Sequence, residues 1–241
     1  MVNAAPIIII QSGIDMSGSA PARDPEVQLA LHYAPHRALA AVRGLFALDA
    51  ALAQVLRTTR EPIVGQMRLT WWHEALTALD RAPPPAEPIL QALANHVVPG
   101  GVTGMRLAGM IDGWEELLDG EPLDDTAIMQ HADARGAALF AMAGALVDAG
   151  AGDPVSRAGA GWALADLARH LTDPAAAGRA LALAGPPLRE ATGAWWSRAG
   201  RPLGTLAHVA RMNLAVPLDR PLPTGAPHRV ARLLFHRITG R

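Results

Sequence analysis

Four side chains near residue 170 have the types and spacing for chemistry. Asp166, Arg169, His170 and Asp173 step by three and four, which puts them on one stripe of a helix. Such a stripe serves either as the polar wall of a cavity or as an exposed ladder of charges. Asp49 is the other unusual carboxylate, because it interrupts the apolar run Leu45-Phe46-Ala47-Leu48. It either faces a cavity or marks the border of a buried stripe. The remaining acids read more plainly. Asp124-Asp125 opens a predicted helix, where negative charge complements the macrodipole, and Glu115-Glu116 after Trp114 reads as a solvated face. Among nine histidines, His32 and His36 have the i, i+4 spacing of a metal pair, but Pro35 between them interrupts the helix that would align them. The inventory excludes further chemistry. Without cysteine there is no disulfide, thiolate zinc site, iron–sulfur cluster or thiol nucleophile. All 21 basic residues are arginine, so Schiff-base chemistry and a lysine-dependent phosphate loop are absent too. Gly150-Ala151-Gly152 lacks the third glycine and the preceding strand of a dinucleotide site.

The elements that must position these residues are helices. The chain has 241 residues, half of them apolar and 18% charged, enough for a full core in one domain or two small ones. Aromatics are only 4% and alanine is abundant, which favours closely packed helices over a β-sandwich, so the predicted class is all-α. A net charge of -1 gives no basic excess for sequence-independent nucleic-acid binding. Residues 1–23 read as a flexible leader, with Met16 a candidate start, and 24–241 as the helical domain. Ile7 to Ile10 is far shorter than the roughly 20 residues of a membrane span. The expectation is a cytoplasmic protein, soluble or peripheral to the inner membrane.

Asp24-Pro25, Glu61-Pro62 and Asp153-Pro154 look like helix starts, each a cap followed by proline at the first helical position. Leu45, Leu48, Leu52 and Val55 form an apolar stripe that predicts a buried helix over 37–58. Further helices are expected at 62–79, 88–97, 103–119, 124–149, 154–172, 187–199, 203–215 and 227–238. The last mixes Arg229, Arg232 and Arg237 with Leu233, Leu234, Phe235 and Ile238. It reads as a basic amphipathic helix, either docked with its arginines outward or touching an anionic membrane.

Two blocks carry a family likeness. The run Arg37-Ala38-Leu39-Ala40-Ala41-Val42-Arg43-Gly44-Leu45-Phe46-Ala47-Leu48-Asp49 is followed by Arg60-Glu61-Pro62-Ile63-Val64-Gly65-Gln66-Met67-Arg68-Leu69-Thr70-Trp71-Trp72-His73-Glu74-Ala75-Leu76. Together they resemble the squalene/phytoene synthase family, most of all the branch with the mitochondrial respiratory complex I assembly factor and its bacterial relatives. The stretches Ala132 to Gly150 and Ala163 to Arg179 resemble later family helices, in the right order. The resemblance implies a single all-α domain of the isoprenoid synthase type with a central cavity. In catalytic members two facing helices carry aspartate-rich motifs that hold magnesium on an isoprenoid diphosphate, since a diphosphate leaves only when its charge is neutralised.

This chain departs at both motifs. Where the family has Asp-Asp-x-x-Asp it has Ala53-Gln54-Val55-Leu56-Arg57, and where the family has Arg-Asp-x-x-x-Asp it has Arg169-His170-Leu171-Thr172-Asp173-Pro174. Only Asp173 remains, one residue out of place. The resemblance then implies a degenerate, non-catalytic protein that needs no cofactor and binds a lipid or assists respiratory-complex assembly. In such a protein Arg37, Arg68, Arg169 and Arg179 meet an anionic head group and Trp72 lines the apolar end; each arginine reads equally well as a surface residue. The alternative is a magnesium-dependent transferase joining two farnesyl or geranylgeranyl diphosphates head to head. Its metal would be held one turn earlier, by Asp49 and Asp166 with Asp173. A third reading is a helical interaction module whose central groove is filled by side chains. The expected ligand is an isoprenoid or other lipid, and the expected partner a protein client.

Overall fold

Helix starts follow capping chemistry. The computed structural model describes residues 25–59, 61–118 and 123–241, and among them there are twelve α-helices and no strand. They are α1 (Pro25–His32), α2 (His36–Thr58), α3 (Pro62–Ala78), α4 (Pro88–His96), α5 (Gly104–Ala108), α6 (Asp112–Glu115), α7 (Asp125–His131), α8 (Ala138–Val147), α9 (Val155–His170), α10 (Pro174–Gly193), α11 (Arg201–Asn213) and α12 (Pro227–Thr239). Proline at the first turn of α3, α4, α10, α11 and α12 loses no helical hydrogen bond there. Caps accompany several of them: Glu87 accepts from Leu90 N at 2.7 Å and Asp124 from Ala127 N at 2.8 Å.

The long helices lie where the apolar periodicity placed them, but two expected helices and one expected cap differ. The expected helix over 103–119 is two short ones, α5 and α6, separated by a tight turn after Ala108. The expected helix over 187–199 is instead the end of α10, which starts at Pro174 and carries Pro186 and Pro187 internally. Asp173 sets that start by accepting from Ala175 N at 3.0 Å and Ala176 N at 3.1 Å. Asp153 is no cap for α9. Its carboxylate instead ties the preceding loop to Ser197, accepting from Ser197 N at 2.7 Å and Gly150 N at 2.8 Å. Residues 1–23 and the Asp24 cap lie outside the described residues.

Helix α9 is the centre of the bundle and packs on α8, α10, α11 and a π-helical turn, Ala132–Ala137, that joins α7 to α8. Two glycines permit the closest approach. A Cβ at Gly136 would stand 2.2 Å from the Gly159 carbonyl oxygen, and one at Gly159 2.1 Å from that of Gly136, so neither position accepts a side chain. Backbone thus touches backbone where the π turn crosses α9, which decides where the neighbouring residue 135 points.

Helix α2 is long and apolar enough to cross a membrane by length and composition, but 56% of that window is buried against the rest of the fold. Each tryptophan pair splits: Trp72 and Trp196 are buried, Trp71 and Trp195 exposed. Helix α12 docks on α11 and its arginines divide: Arg237 is exposed as expected, but Arg229 is buried. Arg229 and His236 turn inward with Leu233, while Leu234, Phe235 and Ile238 face outward. The reason is Glu26 on α1, buried at 4% exposure, whose carboxylate receives the Arg229 guanidinium and so draws that arginine inside.

Candidate functional site

The polar interior is built on Arg135, a residue that sequence reasoning did not single out. Sitting in the π turn beside Gly136, it reaches α2 and α9 at once. Its Nε donates to Asp49 Oδ1 at 2.7 Å and Nη2 to Asp49 Oδ2 at 3.0 Å, a two-point clamp; Nη1 donates to Asp166 Oδ2 at 2.8 Å. The guanidinium lies over Trp114 at 4.3 Å and Trp162 at 4.8 Å from the ring centroids. The side chains of Arg135 and Asp49 are almost fully buried, at 4% and 7% exposure, and Asp166 is partly open at 29%.

The two positions that lost their carboxylates face each other across the mouth of this crevice. His170 Nδ1 donates to the Asp166 carbonyl at 2.8 Å, leaving Nε2 to accept from Arg57 Nη2 at 3.3 Å. Arg57 Nε is buried without a hydrogen-bond partner. Burial pushes the Asp166 carboxyl up, but His170, Arg135 and Arg57 outweigh it and hold the group well below the usual carboxylate range. Burial also disfavours the Arg135 charge, and Asp49 and Asp166 more than offset that, so its pKa is raised.

A cavity of about 160 Å³ remains, lined by Arg43, Phe46, Asp49, Ala53, Arg57 and Trp162 among others. That is below the roughly 300 Å³ at which small-molecule pockets begin. Phe46 and Trp162, which line it, pack with Phe140 in an aromatic cluster whose ring centroids lie 5.6 to 6.0 Å apart.

Of the residues singled out from the sequence, Asp49, Ala53, Arg57, Asp166 and His170 converge here, and Gln54 stands beside them on α2 without lining the cavity. The others do not. Arg37 pairs with Asp148 at the surface, and Arg68 donates to Thr58 and Thr59. Arg169 turns away from Asp166 and donates to the carbonyls of Asn213 and Val216 at the C-terminal end of α11. Arg179 holds the Leu123 carbonyl and Asp125, Asp173 caps α10, and Trp72 packs in the core against Trp71. The stripe Asp166, Arg169, His170, Asp173 therefore divides among three tasks. A lone arginine in the small-residue run Ala132-Asp133-Ala134-Arg135-Gly136-Ala137 was the available signal for the missing member.

The donor set does not fit a magnesium cluster. Both Asp49 oxygens and one of Asp166 already serve Arg135, Asp173 is elsewhere, and no group of three ligating side chains exists among the described residues. His32 and His36 do not pair either: Pro35 separates α1 from α2, and His32 bonds the Gln28 carbonyl and Arg43.

Helices α2 and α9, facing each other with polar groups between them, define an isoprenoid synthase fold. A crystal structure described as a dehydrosqualene synthase in complex with ligand shares it, with a TM-score of 0.68 over 88% of this chain and 90% of that one at 14% identity. The chain belongs to the squalene/phytoene synthase family, whose model matches residues 20–184. No curated protein matches it in sequence.

Buried histidines give the fold a pH signature. His131, which donates to the Gly113 carbonyl, is lowered from 6.5 to about 3 by burial and by Arg135. His208 is lowered to about 3 and His236 to about 4, by burial foremost. All three are neutral in the fold but protonate in the unfolded chain below pH 6.5. Their contribution is complete above that pH and is lost as pH falls toward 3 to 4, at about 1.4 kcal/mol per unit for each histidine. Urea midpoints measured from pH 7 to 4 should fall accordingly, and His131→Gln should reduce that slope by about a third.

Proposed function

We propose that this chain is a non-catalytic member of its family that acts by binding, as an assembly or interaction protein. One observation carries the reading: the Arg135 guanidinium sits between the two carboxylates, Asp49 and Asp166, that a displaced metal site would use. A fixed cation already offsets part of their charge, and Arg57 adds a second positive charge where the resemblance calls for an acid. Prenyl diphosphate ionisation needs several cations held on carboxylate oxygens, and this crevice offers one remaining oxygen that is not already bonded to Arg135.

The small cavity, about 160 Å³, argues against an isoprenoid chain housed inside and shifts binding to the outer surface. Helix α3 supports that, since Ile63, Val64, Met67 and Trp71 form an exposed apolar stripe on it. A protein client of the kind the assembly-factor branch implies is the partner this reading favours. The competing reading, a magnesium-dependent head-to-head transferase, is favoured by one feature: Asp49 and Asp166 do converge on a single point from facing helices.

Pyrophosphate release separates the two. With farnesyl or geranylgeranyl diphosphate and magnesium, the purified chain should release none above background. Turnover that disappears in Asp49→Ala or Asp166→Ala would overturn the proposal.

A further inference from the structure

The charge of the molecule is unevenly distributed. Residues 191–241 contain eight arginines and one acid, Asp219, so their side chains sum to +7 while the whole chain carries -1. Four features bring that charge together with exposed apolar groups. A groove of about 690 Å³ lies between the α1–α2 junction and the ends of α11 and α12, lined by Tyr33, Arg37, Arg198, Arg201, Arg237 and Ile238. Of its four arginines only Arg37 is ion-paired among the described residues, to Asp148. Arg201 Nη1 donates to the Arg237 and Ile238 carbonyls at 2.9 and 3.1 Å, while its buried Nε has no hydrogen-bond partner. Beside the groove, α12 presents Leu234, Phe235 and Ile238 on one face, and Trp195 stands under the Arg241 guanidinium. Ile238 is 75% exposed, Trp195 61% and Phe235 49%.

We propose that this C-terminal face docks on an anionic phospholipid bilayer. The groove arginines take lipid phosphates, and Phe235, Ile238 and Trp195 enter the interfacial layer. Each half of the observation selects against another occupant. A soluble polyanion gives no reason to expose Phe235 and Ile238, and a neutral apolar partner gives none to gather guanidinium groups without acidic partners around them. The stripe is also placed by the fold: Glu26 holds Arg229 inward beside Leu233, which leaves Leu234, Phe235 and Ile238 on the outer side of α12. This inference holds whether or not the Arg135 crevice is catalytic.

Co-sedimentation of the full chain with phosphatidylcholine vesicles, with and without phosphatidylglycerol, tests it. Binding should require phosphatidylglycerol and fall with added salt. Arg198→Ala with Arg237→Ala should weaken it roughly 25-fold, about fivefold for each arginine near an anionic surface. Phe235→Ser with Ile238→Ser, both at exposed positions, should weaken it with an unchanged circular dichroism spectrum. Met67→Ser with Trp71→Ser on α3 should leave it unaltered. Equal binding to both vesicle types, no binding, or loss only in the α3 variant would overturn the proposal. So would full displacement by a low concentration of inorganic pyrophosphate at constant ionic strength, which would assign the groove to a soluble anion.

Discussion

Replacing Arg135 with alanine should cost about 3 to 5 kcal/mol of stability, the range found when one partner of a buried ion pair is removed. The loss comes mainly from what stays behind. Asp49 stays buried at 7% side-chain exposure with both oxygens stripped of donors, and Trp114 and Trp162 lose the cation between them. Arg135→Lys should recover only part of this, because an ammonium cannot engage both Asp49 oxygens and Asp166 in one plane. Asp49→Ala should approach the same cost, since it leaves the guanidinium half-satisfied. Asp166→Ala should cost less, as that carboxylate is partly solvated. In urea unfolding the double variant Asp49→Ala, Arg135→Ala should lose clearly less than the two single losses added together. Additive losses would show that the pair is not the unit that holds α2 to the π turn.

Gly136→Ala and Gly159→Ala should each lose about 3 kcal/mol or more, at the upper end for overpacking. The new methyl group would lie 2.1 to 2.2 Å from a backbone carbonyl oxygen, and backbone cannot swing aside as a side-chain tip can. Relief requires the π turn to move off α9, which would also withdraw Arg135 from Asp166. Gly178→Ala is the matched control. It stands in α10 with nothing within 4 Å of its would-be Cβ, so alanine there should stabilise by about 0.5 to 1 kcal/mol through helix propensity. Thermal unfolding of the three variants checks both signs. Similar shifts at all three would mean that the close crossing is not a constraint.

Helix periodicity and capping made most of the fold legible. The stripe through Leu45, Leu48, Leu52 and Val55 marks α2 because burial selects residues on the helical repeat. The errors have physical causes. Pro186-Pro187 looks like a helix start, yet the Asp173-Pro174 cap upstream and alanine throughout keep α10 continuous past both prolines. For α12 the expectation of outward arginines fails at Arg229, because its buried partner comes from residue 26, which no local window contains.

The site was half legible. Asp49 betrayed itself as a charge within an apolar stripe, and the emptied motif positions Arg57 and His170 do meet, at 3.3 Å. Arg135 was hidden because its role depends on a crossing of backbones at Gly136 and Gly159, a tertiary fact. Side chains such as Arg169 and Arg179 have the right type for anion binding but spend their donors on helix ends.

Divalent-cation binding tests most directly whether a guanidinium has taken the place of metal between Asp49 and Asp166. Manganese, standing in for magnesium, can be titrated into the full chain while electron paramagnetic resonance follows the free ion. The free-ion signal should rise in proportion to added metal, as in buffer alone. Saturable uptake that vanishes in Asp49→Asn or Asp166→Asn would contradict the account.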